Sequence, residues 1–421
     1  MDLYNKINNR ESLTKSYTLK YPVVFEKAEG IYIYDKDGNK YIDCLNGFGV
    51  NILGHNHKII TDAGIDFFKN KYSLQILDMM STIRDDFIDC LFSLFPKSMR
   101  ENIKIQFSGG SGSDAVESAI ELARRHTGRH TIMAFSGCYH GLTKGAMALT
   151  GNIHDKINCS SDVVHIPFPH SFRCPFGIGG IEGERTILHY IENILTDPKS
   201  GVEKPAAIIM EVVQSDGGII IASNKFVQEI RRITKEHDML LIIDEVQTGF
   251  GKTGYMFGFE ASGIEPDIIV LSKALGGGMP LSAVVFNKKL DMTSRGTFRG
   301  NQIAMYLGKI TFDYIIKNNV LNDVIKLEKY MKIKLDNLKD NYETIGEIRI
   351  KGMLFAIEFC YPKTNKYYPE KAKQVFDNCF KNKLLCKLGG RNNCTLIFWT
   401  SLIVTIKELD KIINVISKSI Y

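Results

Sequence analysis

The stretch that most limits how this chain can fold runs from Leu240 to Pro280, LLIIDEVQTGFGKTGYMFGFEASGIEPDIIVLSKALGGGMP. It holds two short runs without a polar residue, Leu240–Ile243 and Ile268–Leu271. Both are too short for buried helices and rich in isoleucine, so both are expected to be buried strands. The first runs into Asp244 and the second into Ser272-Lys273, followed by Ala-Leu-Gly-Gly-Gly. In open α/β sheets ligands bind at the carboxyl ends of the strands. An aspartate and a lysine at two such ends can therefore face one ligand.

Three readings of this pair are open. A lysine that forms a Schiff base and a carboxylate that holds a pyridinium nitrogen are what pyridoxal phosphate requires. A structural ion pair is the simplest alternative, because buried charges are usually paired. A nucleotide site is the third, since an apolar strand ending in Asp-Glu and the tripeptide Gly251-Lys252-Thr253 imitate the two motifs of P-loop ATPases. The phosphate loop, however, needs a glycine where this chain has Val246, and no strand followed by GxxxxGK[ST] occurs upstream.

The rest of the chain bears on the choice. From about residue 60 to 300, expected strands alternate with helices: strands at Ile103–Phe107, Ile132–Phe135 and Ala206–Met210, a helix over Asp114–Arg125 with Val116, Ala119, Ile120 and Ala123 on one side, and another marked by Phe226, Val227, Ile230 and Ile233. That alternation predicts a mostly parallel, doubly wound α/β sheet. Residues 1–60 predict a small extended unit, with a hairpin turning at Asp37-Gly38 into a strand over Lys40–Cys44. After Arg299 the texture changes to α+β. A long helix is expected over Asn318–Asp340, with Val324, Leu327, Met331 and Leu335 aligned. Strands follow near Ile345–Ile350, Met353–Phe359, Leu384–Leu388 and Thr395–Trp399, with helices from Pro369 and Ile406. The expected division is therefore 61–300 as a large ligand-binding domain, with 1–60 and 301–421 forming a smaller one.

Other residues fall at the same strand ends. Ser108-Gly-Gly-Ser-Gly-Ser-Asp114 follows the Ile103–Phe107 strand, and a glycine-rich turn at a helix N-terminus offers N–H groups and a favourable dipole to an anion. Gly112 and Ser113 are placed to do so; an Asp114–Glu117 capping box would explain the turn without a ligand. Tyr139 or His140, after the Ile132–Phe135 strand, could stack on a flat ring, or Tyr139 could be a core tyrosine. Glu211 ends the Ala206–Met210 strand. Gln247 could donate to a ring hydroxyl or only brace its turn. Thr297-Phe-Arg-Gly-Asn301 is a further glycine-bearing turn. An ion pair between Asp244 and Lys273 accounts for none of these, whereas one phosphorylated aromatic cofactor accounts for all.

Charge and composition exclude other classes. A net charge of +6 from scattered lysines gives no nucleic-acid stripe or membrane-surface helix. Nine cysteines without a CxxC pair give no disulfide framework or zinc knuckle. His170-x-x-x-Cys174, the nearest approach to a metal pair, lacks partner ligands, so no metal is expected. No apolar run reaches ~18 residues, and MDLYNKINNRES is too polar for a signal peptide, which makes the cytoplasm the expected location.

At these residues the chain resembles the class III (subgroup II) aminotransferases of the fold type I pyridoxal-phosphate superfamily, from about Tyr21 to the C-terminus. The resemblance rests on Leu53-Gly-His-Asn-His57, Ser111-Gly-Ser-Asp-Ala-Val-Glu117, Tyr139-His-Gly141, Asp244-Glu-Val-Gln-Thr-Gly-Phe-Gly-Lys-Thr-Gly254, Ser272-Lys-Ala-Leu-Gly-Gly-Gly278 and Thr297-Phe-Arg-Gly-Asn301. Ser16-Tyr, Tyr21-Pro-Val-Val-Phe-Glu-Lys, Leu77-Asp-Met-Met80 and Arg173-Cys-Pro-Phe-Gly177 look most like the L-2,4-diaminobutyrate:2-oxoglutarate group. The resemblance implies Lys273 as the Schiff-base lysine and proton carrier, and Asp244 at the pyridine nitrogen. It implies Gln247 near the ring hydroxyl, Tyr139 (with His140) at the ring face, and Gly112 and Ser113 at the phosphate. Glu211 would lie beside the substrate, pairing in some members with an arginine, and Thr297 would serve the neighbouring subunit of a homodimer. The implied activity is amino transfer between a primary amine or ω-amino acid and a keto acid such as 2-oxoglutarate, in biosynthesis. Racemase, epimerase or lyase chemistry, a carrier-bound substrate and a non-catalytic binding role are the alternatives, because fold does not fix function.

One position departs from the family. Its C-terminal strand usually carries an arginine for a substrate carboxylate, and this chain has Ile397 in Leu396-Ile-Phe-Trp-Thr-Ser-Leu402. Isoleucine cannot make the bidentate contact of a guanidinium. Arg391, in the preceding turn, is one candidate substitute, and a substrate without that carboxylate, or one carried on another molecule, is the alternative; arginine restored at 397 is expected to raise affinity for an α-carboxylate.

Overall fold

The computed structural model describes residues 3–12, 17, 20–156, 159, 162–290 and 296–421; Ser16 lies outside them. Its centre is a seven-stranded sheet: β1 (Ile103–Phe107), β2 (Ile132–Phe135), β3 (Val163–Ile166), β4 (Ala207–Met210), β5 (Leu240–Asp244), β6 (Ile268–Leu271) and β7 (Ala283–Asn287), in the order β1-β7-β6-β5-β4-β2-β3. All neighbours are parallel except β7, which runs antiparallel to both β6 and β1. The apolar runs bury both faces. Ile242, Ile268 and Val270 pack with Val116, Ala119 and Ala123 of the helix Gly112–Thr127. Leu241, Ile243, Ile269 and Leu271 pack with Phe226, Ile230 and Ile233 of the helix Asn224–Glu236 on the other side. Helix-covered faces are what a doubly wound sheet demands, so the expected large sheet is present.

Two smaller sheets stand beside it. Phe25–Glu29, Tyr32–Asp35 and Lys40–Asp43 form an antiparallel meander. Its turn is closed by Asp35, whose Oδ1 accepts from the Asp37 and Asn39 N–H groups at 3.0 and 2.8 Å. The other contains β8 (Ile345–Lys351), β9 (Leu354–Phe359), β10 (Lys387–Gly389) and β11 (Thr395–Trp399), in the order β8-β9-β11-β10. The expected strand Leu384–Leu388 is broken at Cys386. Leu384–Leu385 pairs in parallel with Ile42–Asp43, while Lys387 begins β10. The cause is Tyr21, whose hydroxyl accepts from the Cys386 N–H at 3.0 Å and donates to the Cys386 carbonyl, taking both groups from any ladder.

The expected helix Asn318–Asp340 is also corrected. The chain forms Gln302–Lys317 and then Val320–Asn341, with Asn319 between them in the left-handed region at φ 53°. Asparagine tolerates that conformation. The first of these helices packs on Thr82–Leu94 and on the turn after β6. Contact is close at Gly277 (φ +58°), where a Cβ would lie 2.6 Å from the Leu307 carbonyl carbon. No helix among the described residues is long and apolar enough to cross a membrane.

Candidate active site

A cavity of about 590 Å³ opens at the carboxyl edge of the large sheet, a volume within the usual range for a small-molecule site. Gly112, Ser113, Tyr139, His140, Glu211, Asp244, Gln247 and Lys273, scattered over 162 positions of sequence, all border it. Thr297 does not; it is exposed outside this chain's own cavity.

Lys273 follows β6 by one residue and begins a short 3-10 turn, Lys273–Gly276, in the left-handed region at φ 51°. A non-glycine residue held there is uncommon, and the helix packed at Gly277 helps fix the turn. Its Nζ donates to Gln247 Oε1. Burial lowers the Lys273 pKa to about 8, while Asp244, Glu211 and Asp216 favour the charged form. A neutral, nucleophilic amine is thereby available near physiological pH. The Nε2 of Gln247 is buried and has no hydrogen-bond acceptor among the described residues.

Asp244 closes β5. Its Oδ1 accepts from the Val246 N–H at 3.0 Å, and its Oδ2 lies 2.7 Å from His140 Nδ1. Burial disfavours the His140 cation, but the Cys138 sulfur and the Asp244 carboxylate outweigh it and raise the His140 pKa well above the ordinary value. His140 therefore braces Asp244 from behind. Glu211 is held differently, accepting from the backbone N–H groups of Tyr139 at 2.9 Å and Ser215 at 3.2 Å. Burial raises its pKa to about 7, with His140 opposing and Asp244 adding to the rise. No arginine among the described residues bonds to it.

The anion-binding turn lies opposite. The helix begins at Gly112, two residues earlier than expected, and its capping box joins Ser111 to Asp114 rather than Asp114 to Glu117. Ser111 is the residue before the first turn, so Asp114 sits at the third helical position, where a box partner must be. Glu117 instead accepts from the Gly145 and Ala146 N–H groups at 2.6 and 3.3 Å. The first-turn N–H groups of Gly112 and Ser113 have no intrahelical acceptor. Ser113 Oγ accepts from the Leu142 N–H at 3.3 Å, which leaves its hydroxyl hydrogen free to donate.

Sequence reading did not find the cavity's outer wall. Tyr17, Lys20, Phe48, Asp216, Lys387 and Trp399 form it. Phe48 packs between Tyr17 and Trp399, with ring centroids 5.0 and 4.9 Å away. Trp399 Nε1 donates to Ser215 Oγ at 2.8 Å. Ile397 is fully buried and does not border the cavity. Arg391 does not border it either. Its guanidinium covers Gly137 and donates to the Ser136 carbonyl at 2.8 Å, so it is not the substitute. Lys252, dismissed above as part of a false phosphate loop, is fully buried behind Gln247 and donates to the Gly49 carbonyl at 3.0 Å. His170 bonds to Glu347 at 3.2 Å beside Arg349, an ionic cluster rather than a pair with Cys174.

These groups fit pyridoxal phosphate. An unpaired amide donor at Gln247, free N–H groups at a helix start, a half-exposed aromatic at Tyr139 and a buried amine of lowered pKa each match one part of it.

Comparison with known proteins bears on the family. The family model described as aminotransferase class-III matches residues 14–420. A diaminobutyrate–2-oxoglutarate aminotransferase of Haemophilus influenzae is 40% identical over 424 residues, covering 97% of this chain and 93% of the relative. One of Rhizobium meliloti is 35% identical over 417 residues, covering 96% and 89%. Among solved structures, an omega-aminotransferase from Paracoccus denitrificans superposes with a TM-score of 0.90 at 21% identity, covering 100% of this chain and 98% of that one. An aminotransferase of Bacillus anthracis gives 0.88 at 24%, covering 100% and 99%.

Proposed function

The chain belongs to the class III aminotransferases and is a pyridoxal-phosphate-dependent transaminase, and we propose that it moves the ω-amino group of 2,4-diaminobutyrate, or a similar diamino acid, to or from 2-oxoglutarate. The observation that carries the substrate reading is the near-complete match to relatives named for that reaction, at 40 and 35% identity.

The site residues take the following roles. When bound, pyridoxal phosphate supplies an aldehyde that accepts an amine and a ring that stores the electron pair of the broken C–H bond. Lys273 Nζ would hold the aldehyde carbon at rest, and once displaced by the incoming amine would carry the proton from the amine-bearing carbon to the former aldehyde carbon of the cofactor. Asp244, braced by His140, keeps a proton on the ring nitrogen. Gln247 Nε2 donates to the ring oxygen, Tyr139 covers the ring, and Gly112 and Ser113 bind the phosphate. Glu211, with a pKa near 7, stands beside the substrate. Thr297 completes the phosphate site of the neighbouring subunit in a homodimer; its exposure outside its own cavity supports this.

Residues 61–300 then act as the cofactor-binding unit, and 1–60 with 301–421 as the covering one. The pairing of Leu384–Leu385 with Ile42–Asp43 supports that grouping. The thiols of Cys44, Cys138, Cys379 and Cys386, buried without a disulfide, support work in the reducing cytoplasm.

The test is the first half-reaction. Mixed with 2,4-diaminobutyrate and no keto acid, the holoenzyme should lose its visible cofactor absorption and form the aminated cofactor. Added 2-oxoglutarate should restore the band with release of glutamate. Reaction with simple α-amino acids but not with diaminobutyrate would overturn the donor assignment.

A further inference from the structure

Ile397 stands where the family resemblance implies a carboxylate-binding arginine, and the sheet shows what stands beside it. Strand β10 pairs antiparallel with β11 so that Lys387 lies directly opposite Ile397. Side chains opposite one another leave the sheet on the same face. A Cβ built on Gly389 would lie 3.0 Å from Lys387 Cε and 3.5 Å from Ile397 Cδ1. The lysine stem and the isoleucine tip thus flank the same point above Gly389, and Lys387 borders the cavity that Ile397 does not. A cation thus stands one strand away from Ile397.

At that wall Lys387 Nζ donates to Asp216 Oδ1. Its ammonium also lies 5.5 Å from the Phe48 ring centroid. Lys20 borders the same corner, close enough that burial and then Lys387 lower its pKa while Asp216 raises it. Lys387 alone bonds the Asp216 carboxylate, and Lys20 borders the same cavity as a second cation without a carboxylate bonded to it among the described residues, an arrangement that a second carboxylate would complete. The Lys387 side chain is 13% exposed and that of Asp216 40%, so the pair is sheltered yet open from the cavity. Both charges also reach Lys273: Asp216 stabilises its cation and Lys387 opposes it.

Building on the diamino-acid reading above, we propose that the Asp216–Lys387 pair is the head-group subsite for an α,ω-diamino acid. Lys387, with Lys20, receives the α-carboxylate, and Asp216 receives the α-ammonium, while the far amine reacts at Lys273. A zwitterion entering an ion pair replaces one contact with two and leaves the local charge unchanged. A dicarboxylic keto acid uses only half of this subsite. Its distal carboxylate meets Lys387, and with no ammonium it makes no use of Asp216.

The experiment follows both half-reactions of the holoenzyme by cofactor absorption, in K387M, K387R and D216N, each checked for a native melting curve. K387M should raise the half-saturating concentration of 2,4-diaminobutyrate and of 2-oxoglutarate by roughly tenfold or more, as expected for a lost bond to a charged group. K387R should recover most of both. D216N should weaken diaminobutyrate by a similar factor and leave 2-oxoglutarate unchanged or tighter. Equal effects of D216N on both substrates, or none of K387M on either, would overturn the proposal and make the pair a structural tie. Failure of the wild-type enzyme to react with diaminobutyrate would instead overturn the donor assignment. The role of Lys387 would then stand or fall on the 2-oxoglutarate arm.

Discussion

The floor and the outer wall of the cavity were built by different rules. On the floor every functional side chain sits within six residues of a strand's carboxyl end: Asp244 as the last residue of β5, Lys273 after β6, Tyr139 after β2, Glu211 after β4 and Ser113 after β1. A parallel sheet brings such ends to one edge, so position along the chain fixes position in space. The wall joins Tyr17, Phe48, Asp216, Lys387 and Trp399 from unconnected segments. Their meeting depends on cross-strand register and on how separate sheets pack. The floor should therefore control chemistry and the wall substrate choice.

The strongest way to break that contrast is K273A. It should lower kcat by about 10⁴-fold, the upper range for a lost acid–base group, and it should abolish the absorption band of the lysine-linked cofactor, leaving at most that of the unlinked aldehyde. D244N should keep the cofactor but lose about 10²–10³-fold in turnover, comparable to removing one preorganised electrostatic partner. Stopped-flow single turnovers separate these losses from binding. H140N should cost roughly tenfold through the lost hydrogen bond. That cost should disappear when the substitution is made in D244N, because His140 acts through Asp244.

Cofactor loading should depend on pH through Lys273. Its pKa is depressed from 10.5 to about 8. At pH 7.5 about a quarter of the amine is then neutral, rather than about a thousandth at the ordinary value. The rate at which apoenzyme takes up pyridoxal phosphate should rise as pH passes through about 8; an onset near 10.5 would contradict the buried environment of the lysine. The smallest expected effect is at the wall's support. I397V should cost about 0.5–1.5 kcal/mol of stability, the usual range for this change in a core. It should leave half-saturating substrate concentrations unchanged, because Ile397 never meets the cavity. I397R should destabilise the sheet rather than improve substrate affinity.

This division also explains what could be read from the residues alone. The runs Leu240–Ile243 and Ile268–Leu271 are uninterrupted by polar residues, so their ends located Asp244 and Lys273 without a fold in hand. At the floor turn Ser111–Asp114 and Asp114–Glu117 both have capping-box spacing, and only the helix start separates them. Cys386 carries no signal for a strand break; the break comes from Tyr21, 365 positions away. Lys387 was equally silent, one lysine among many until its pairing with Ile397 was known. The helix Gln302–Lys317 shows no clean apolar stripe in the sequence because it buries residues on several sides, among them Ile303, Met305, Leu307, Phe312 and Ile315.

The central claim is that Lys273 is the amine that holds the cofactor. Reduction of the holoenzyme with borohydride, followed by peptide mapping, tests it directly. The account predicts one phosphopyridoxyl group per chain, on Lys273. The label on Lys252, a fully buried lysine beside Gln247, or on Lys387 in the outer wall, would contradict it.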